Sequence, residues 1–322
     1  GLGDVYKRQN FDSRGFGDDY VVILLNGRRL PGDPVFGDGA TNLNLIPVAS
    51  VERVEYLSTG ASAIYGADAV QGVLNIITRQ EWEGLQLKAQ YGNDTDNGGA
   101  RSGFSLAGGL SSSNGWASIS FEYLKQESVS AVGLPLIGSA IAPAGTDGRS
   151  PTGAVPDFMT FIDFENDISY PAAACPQENQ LPAFDTGGGF TCMYDFAQLY
   201  EAIPEQERMN FLASAEYNLG GGVTGYGEFR MSRNVTQVNN GASPAAFNVT
   251  GASALTTVDQ QLGTDLANST SVWLRRRAVD AGPRASENTN TAFSVVLGGR
   301  VEVADGHELD VSVQQVESEM NV

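Results

Sequence analysis

The 322-residue chain offers few side chains able to do covalent or metal chemistry. It has one histidine, His307, and two cysteines, Cys175 and Cys192. A histidine-ligated metal centre, or a nucleophile activated by histidine, must use His307 or not exist. Cys175 and Cys192 have 16 residues between them and no histidine nearby, which argues against zinc. Asp94-Thr95-Asp96-Asn97-Gly98 begins like a calcium loop but lacks its later glutamate, so it reads as a polar loop tip. Arg275–Arg277 is a basic run that could face an anionic ligand or a lipopolysaccharide phosphate, although a solvated or lumenal loop explains it as well. No phosphate-binding glycine loop and no G-x-S-x-G elbow occur. No acid, base and nucleophile converge, so the chain reads as no enzyme and needs no cofactor or metal.

Composition narrows the partners. Nineteen basic against 38 acidic residues give a net charge of −19, which argues against nucleic acid or an anionic membrane surface as the main partner. No run approaches the 18 or so apolar residues of a transmembrane helix. Transmembrane strands remain open, because their signal is alternation.

Two textures follow along the chain. Residues 10–79 read as a small α+β unit. Val21–Leu25 is a short apolar strand followed by the turn pair Asn26-Gly27. Pro31-Gly32-Asp33-Pro34 breaks the chain, Val51–Leu57 alternates as a strand, Ala61–Tyr65 is one helical turn, and Val73–Thr78 is another strand. From Gly84 onward, seven amphipathic runs alternate apolar and polar residues. They lie within 85–91, 104–110, 117–123, 209–219, 223–233, 293–303 and 309–313, with Leu212 the one exception in the fourth. Each is close to the nine to eleven residues of a tilted membrane strand. Short turns at 111–115, 220–222 and 304–306 alternate with long segments at about 127–207 and 234–290. That asymmetry, and Tyr91, Tyr123 and Tyr217 near strand ends, fit a transmembrane antiparallel β-barrel with long extracellular loops. A soluble β-sandwich is the alternative. Seven strands are fewer than the 22 or so that enclose a folded domain, so the expectation is a partial barrel.

Leu45–Arg79 then identifies the small unit. Ile46-Pro47, Val51–Glu55 (VERVE), Ala61–Gly66 (ASAIYG) and Gly72–Arg79 (GVLNIITR) resemble, in order and spacing, the plug domain of TonB-dependent outer-membrane receptors. Leu24–Pro31 (LLNGRRLP) also resembles the plug. Trp273–Pro283 is similar to a barrel segment of the branch carrying the G-A-S-A-I-Y-G variant. The resemblance implies a receptor in the outer membrane of a Gram-negative bacterium, amid lipid and lipopolysaccharide. It implies uptake of a scarce small-molecule, oligosaccharide or metal-chelate ligand, with energy from TonB and its partners ExbB and ExbD. The competing function is a surface-exposed β-rich adhesin that binds without transport.

The resemblance also assigns roles. Glu52, Arg53 and Glu55 are candidates for a plug–barrel ion pair, with a solvated edge as the alternative. Gly60, Gly66 and Gly72 allow tight turns. Tyr65 packs, and Asn75 lies in the Asn-Ile-Ile-Thr-Arg motif. Ser58-Thr59-Gly60 stands where many family members carry arginine, which puts one plug–barrel contact in doubt. In an exported chain Cys175 and Cys192 read as a disulfide, with two free thiols as the alternative. Residues 4–9 (DVYKRQ) resemble a translated sequencing adapter, and the last run stops without a closing aromatic residue. The expected organisation is therefore an artefact at 1–9, a partial plug at 10–79 and a partial barrel at 80–322. The signal peptide and TonB-contacting segment are expected upstream.

Overall fold

The structure is a computed structural model that describes residues 20–32, 41–58, 60–93, 98–141, 145–153, 158–262, 266, 269–304 and 306–321. The adapter-like residues 1–9 and Asp94–Asn97 of the calcium-like stretch lie outside them.

The N-terminal unit is a four-stranded sheet of β1 (Val21–Leu25), β2 (Arg28–Arg29), β3 (Val51–Leu57) and β4 (Gly72–Thr78), in the order β2-β1-β4-β3. β1 runs parallel to β4 and is buried along its whole length. This explains its continuous apolar sequence, since a strand covered on both faces has no polar side to show. Val21, Ile23 and Leu25 pack with Leu30, Ile46, Leu74 and Ile76 on one face. Val22 and Leu24 pack with Ala61, Ala69 and Val73 on the other, where Tyr65 leans on the cluster. The helical turn is Ser62–Tyr65.

The seven alternating runs are seven strands: β5 (Gly84–Gly92), β6 (Arg101–Ser112), β7 (Gly115–Gln126), β14 (Glu205–Gly220), β15 (Val223–Asn239), β18 (Ala285–Ala304) and β19 (His307–Asn321). They form one antiparallel sheet in the order β19-β18-β15-β14-β7-β6-β5. Its short turns follow β6, β14 and β18, as the spacing predicts. The sheet does not close among the described residues; β5 and β19 are its edges. No helix of the described residues is long and apolar enough to cross a membrane. Burial alternates with the pleat. Met209, Tyr217, Phe229, Met231 and Leu297 are exposed on one face, whereas Asn210, Leu212, Ser214, Arg230, Ser232 and Ser294 are buried on the other. Leu212 breaks the sequence alternation because it is an apolar residue on this covered, largely polar face, where Ala107, Leu124, Ala292 and Val296 are also buried.

Two expectations are corrected. Several strands exceed the expected nine to eleven residues: β14 has 16, β15 has 17 and β18 has 20. They run on into the long segments because β15 and β18 stay in register from Val223↔Val301 to Asn239↔Ala285. The long segments are also not plain loops. They contain β8 (Val129–Ser130), β9 (Thr160–Asp163), β10 (Ile168–Pro171), β11 (Gln180–Pro182), β12 (Gly188–Cys192), β13 (Glu201–Ile203), β16 (Pro244–Thr250), β17 (Ser271–Arg277) and a helix at Ala252–Leu262. Six of these form a second sheet, β11-β12-β10-β9-β17-β16, in which β9 from the first long segment pairs with β17 from the second. Trp273–Arg277 therefore belongs to this loop sheet and not to the long-stranded wall.

Candidate functional site

The N-terminal sheet rests on the polar face of the seven-stranded wall, and the contact is built from short polar side chains and backbone groups. Asn26 starts it. Its φ of 50° is the left-handed turn conformation that asparagine tolerates, and Gly27 follows with a φ of 80°. The Asn26 carboxamide clamps the end of β4: its oxygen accepts from the Thr78 backbone N–H at 3.0 Å, and its nitrogen donates to Thr78 Oγ1 at 3.0 Å. The same nitrogen donates across the gap to Glu228 Oε2 at 2.8 Å. Arg28 donates to the Tyr226 hydroxyl at 2.7 Å and lies over its ring, 5.1 Å from the centroid. Tyr226 in turn donates to Asp310 at 2.5 Å, and Arg300 covers the same ring at 4.8 Å while pairing with Glu216 and Asp310. The wall thus frames Tyr226 with charged residues from β14, β18 and β19. Higher on the wall, Ser232 Oγ donates to the Leu45 carbonyl at 2.6 Å and Asn210 Nδ2 to the Asn44 carbonyl at 3.0 Å. Glu122 faces the backbone N–H groups of Val48 and Ala49.

The residues singled out in the sequence fall elsewhere. Arg53 pairs with Glu52 and Glu55 of its own strand, both at 2.8 Å, and all three are about half exposed. The carboxylates raise the Arg53 pKa by hydrogen bonding, from Glu55 first and then Glu52. Among the described residues no ion pair joins this trio to the wall. A register shift between Val51 and Arg53 interrupts the strict alternation that would put Glu52 and Arg53 on opposite faces. Gly60, Gly66 and Gly72 all have positive φ, of 74°, 83° and 126°. Gly72 has the tightest surroundings, since a Cβ there would strike the Leu57 carbonyl oxygen of β3. Asn75 accepts from the Gly27 N–H at 3.0 Å and so ties the β1–β2 turn to β4. Tyr65 packs on the small core. Asn26, Arg28, Tyr226 and Glu228 escaped sequence reasoning. The Asn-Gly pair and the LLNGRRLP stretch marked the turn, but nothing local marked its partners some 200 residues away.

Above the wall, Cys175 and Cys192 form a disulfide with Cα atoms 6.1 Å apart, within the loop sheet. The basic run lies in β17 of that sheet, and each arginine has a separate environment. Arg275 pairs with Asp185, Arg276 pairs with Asp280, and Arg277 is buried, donating to the Ala242 carbonyl at 2.9 Å and the Thr152 carbonyl at 3.3 Å. Burial lowers the Arg277 pKa. Asp163, fully buried at the end of β9, accepts from Ser269 and Asn166, and Glu165 accepts from Thr270. Burial pushes the Asp163 pKa up, but these hydrogen bonds outweigh it and hold the carboxyl below its usual range. Hydrogen bonds from Thr270 likewise lower the Glu165 pKa. No group of three or more metal-ligating side chains converges among the described residues.

Residues 3–73 match the family described as the TonB-dependent receptor plug domain. Over that segment the chain is similar to a TonB-dependent receptor plug domain. The match begins inside the adapter-like stretch and ends within β4, so the plug is the unit seated against the wall. Among solved structures, the chain is similar to the ferric enterobactin receptor PfeA of Pseudomonas aeruginosa in its G324V form, with a TM-score of 0.50 and 16% identity over 94% of this chain and 33% of that one. It is also similar to the ferric-catecholate import receptor Fiu of E. coli K12, with a TM-score of 0.43 and 13% identity over 94% of this chain and 43% of that one. The siderophore receptor PirA of Acinetobacter baumannii gives a TM-score of 0.33 and 14% identity, over 96% and 51%. The chain spans about a third of the length of the PfeA chain. The PfeA match places the plug and wall together in the fold of such receptors.

Proposed function

We propose that the chain works as part of an outer-membrane receptor. This receptor takes up a scarce nutrient ligand, with energy delivered by TonB, ExbB and ExbD. The observation that carries this reading is the seating of a plug-family segment on the polar face of a long-stranded antiparallel wall whose other face is apolar. An apolar outer band and a polar interior are what a bilayer and a filled lumen demand of one sheet. The loop sheet stands at the end opposite the short turns, where an extracellular ligand would first meet the molecule. An adhesin would need the loop sheet but not a seated plug, so the Asn26 and Arg28 contacts favour transport. PfeA is named as a ferric enterobactin receptor. A ferric chelate is accordingly the first ligand class to try.

The test is growth on a panel of ferric chelates, haem, cobalamin and oligosaccharides as limiting nutrient. It compares cells with and without the protein, each with and without TonB. Growth that needs both the protein and TonB on at least one nutrient supports the reading. Binding of cells to a surface or polymer, with no nutrient for which both are needed, would sink it in favour of the adhesin.

A further inference from the structure

A second cluster of charge lies on the flank of the plug, away from the Arg28 contacts. Between the plug turn at Val48 and the inner face of β5, β6, β7 and β14 is a cavity of about 170 Å³. Lys88, Arg101 and Arg208 line it together with one carboxylate, Glu122. Arg208 lies in the field of both Glu122 and Arg101, and Glu122 in the field of both Arg208 and Lys88, so the four side chains form one electrostatic group. Three cations against one anion leave an excess of two positive charges, in a chain whose net charge is −19. Among the described residues no salt bridge joins any of the three cations to Glu122, whose carboxylate faces the backbone N–H groups of Val48 and Ala49. The Arg208 Nε is buried and has no hydrogen-bond partner, while one of its terminal nitrogens donates to Gln206 at 2.8 Å. Guanidinium groups match oxyanions through paired N–H donors, and an unused buried donor costs free energy until something accepts from it.

We propose that this cavity binds a small multivalent oxyanion, such as a phosphate or polycarboxylate, free or as the charged end of a larger solute. Arg208 supplies the deep donor, and Lys88 and Arg101 supply the exposed rim. The seated plug completes the site by holding Glu122 on its own backbone. If the plug leaves, the freed carboxylate lies among the same cations and competes with the bound anion. Anion binding and plug seating therefore strengthen each other, and the coupling is reciprocal. The proposal adds a ligand chemistry to the transport reading and rests on it only for the plug's movement. Its test needs neither TonB nor uptake, so the two can fail separately.

The experiment is calorimetric titration of the full chain, purified in detergent, with citrate and with inorganic phosphate at constant ionic strength set by sodium chloride. The expected result is saturable binding of at least one probe. Arg208→Gln weakens it about tenfold, the loss of one charge-assisted hydrogen bond, and Arg208→Lys recovers part of it. Lys88→Gln weakens it less, because that side chain is exposed. Glu122→Gln keeps an acceptor for the plug N–H groups while removing the competing charge, and it tightens binding severalfold. Arg29→Gln, a surface change at a residue paired with Asp68, leaves binding unaltered. Circular-dichroism melting checks that each variant is folded. If neither probe binds saturably, or if Arg29→Gln and Arg208→Gln weaken binding equally, the site is overturned. So is it if Glu122→Gln weakens binding as Arg208→Gln does.

Discussion

Arg28 holds the plug to the wall through the Tyr226 hydroxyl and ring and a longer bond to Ser312 Oγ at 3.4 Å, so its loss is readable. Arg28→Ala removes the donor to Tyr226 and the cation over its face. The expected cost is about 1–3 kcal/mol, allowing for a half-buried site. Limited proteolysis should then cut the plug at lower protease concentration, with the wall unaffected. Tyr226→Phe is the milder companion, since it keeps the ring but loses the hydroxyl that also reaches Asp310. Gly72 makes a different residue-scale prediction. Its φ of 126° and the Leu57 carbonyl leave no room for a side chain. Gly72→Ala should therefore lower the unfolding free energy of the plug sheet by about 1–3 kcal/mol, read from denaturant melting. A wild-type melting curve for Gly72→Ala would refute the strain argument. The motif itself pointed to this glycine. The Arg28 contact was invisible, because its partner lies 198 residues along the chain and tyrosine on a strand reads as packing.

The elements divide by how much sequence each needs to declare itself. The seven wall strands were legible because alternation persists over five or more residues in each run. The plug strands were legible because β1 is a continuous apolar run and the motifs place β3 and β4. The loop sheet was not legible, since β9, β10 and β11 have only four, four and three residues. Runs that short show no period, and β9 finds β17 about 110 residues away. Two predictions belong to this sheet. Replacing Cys175 and Cys192 together by serine should destabilise it by about 3 kcal/mol in the chain-entropy model, with the wall melting unchanged. Acid should loosen the join between the two long segments. Asp163 and Glu165 both titrate below their usual values, so the stability they contribute is present above the unfolded carboxyl pKa values of about 4. It is lost as pH falls through the lower folded values. Hydrogen exchange at β9 and β17, taken relative to the intrinsic amide rate, should accelerate as pH falls below about 4, and Asp163→Asn should blunt that acceleration. Exchange that is flat over this range in the wild type would contradict the assignment.

At the scale of the molecule, the sheet has one apolar and one polar face, and a substitution should be priced by the face it meets. Leu297, exposed on the apolar face, would carry a charge into hydrocarbon as Leu297→Arg. The expected cost is about 2–4 kcal/mol at mid-bilayer depth, measured by folding into lipid vesicles. The same substitution measured in detergent micelles, which rearrange around a charge, should cost less. Equal costs in both would argue that this face does not meet lipid. The plug contacts have a directional consequence as well. Tyr226, Glu228 and Ser232 follow one another up β15, so the bonds that Arg28 and Asn26 donate and the Leu45 carbonyl accepts sit at successive positions spanning about 20 Å of strand. A mechanical load applied from the short-turn end reaches them one after another, as a zip fastener opens tooth by tooth. The force needed is then set by the strongest single rung and not by the sum of all of them.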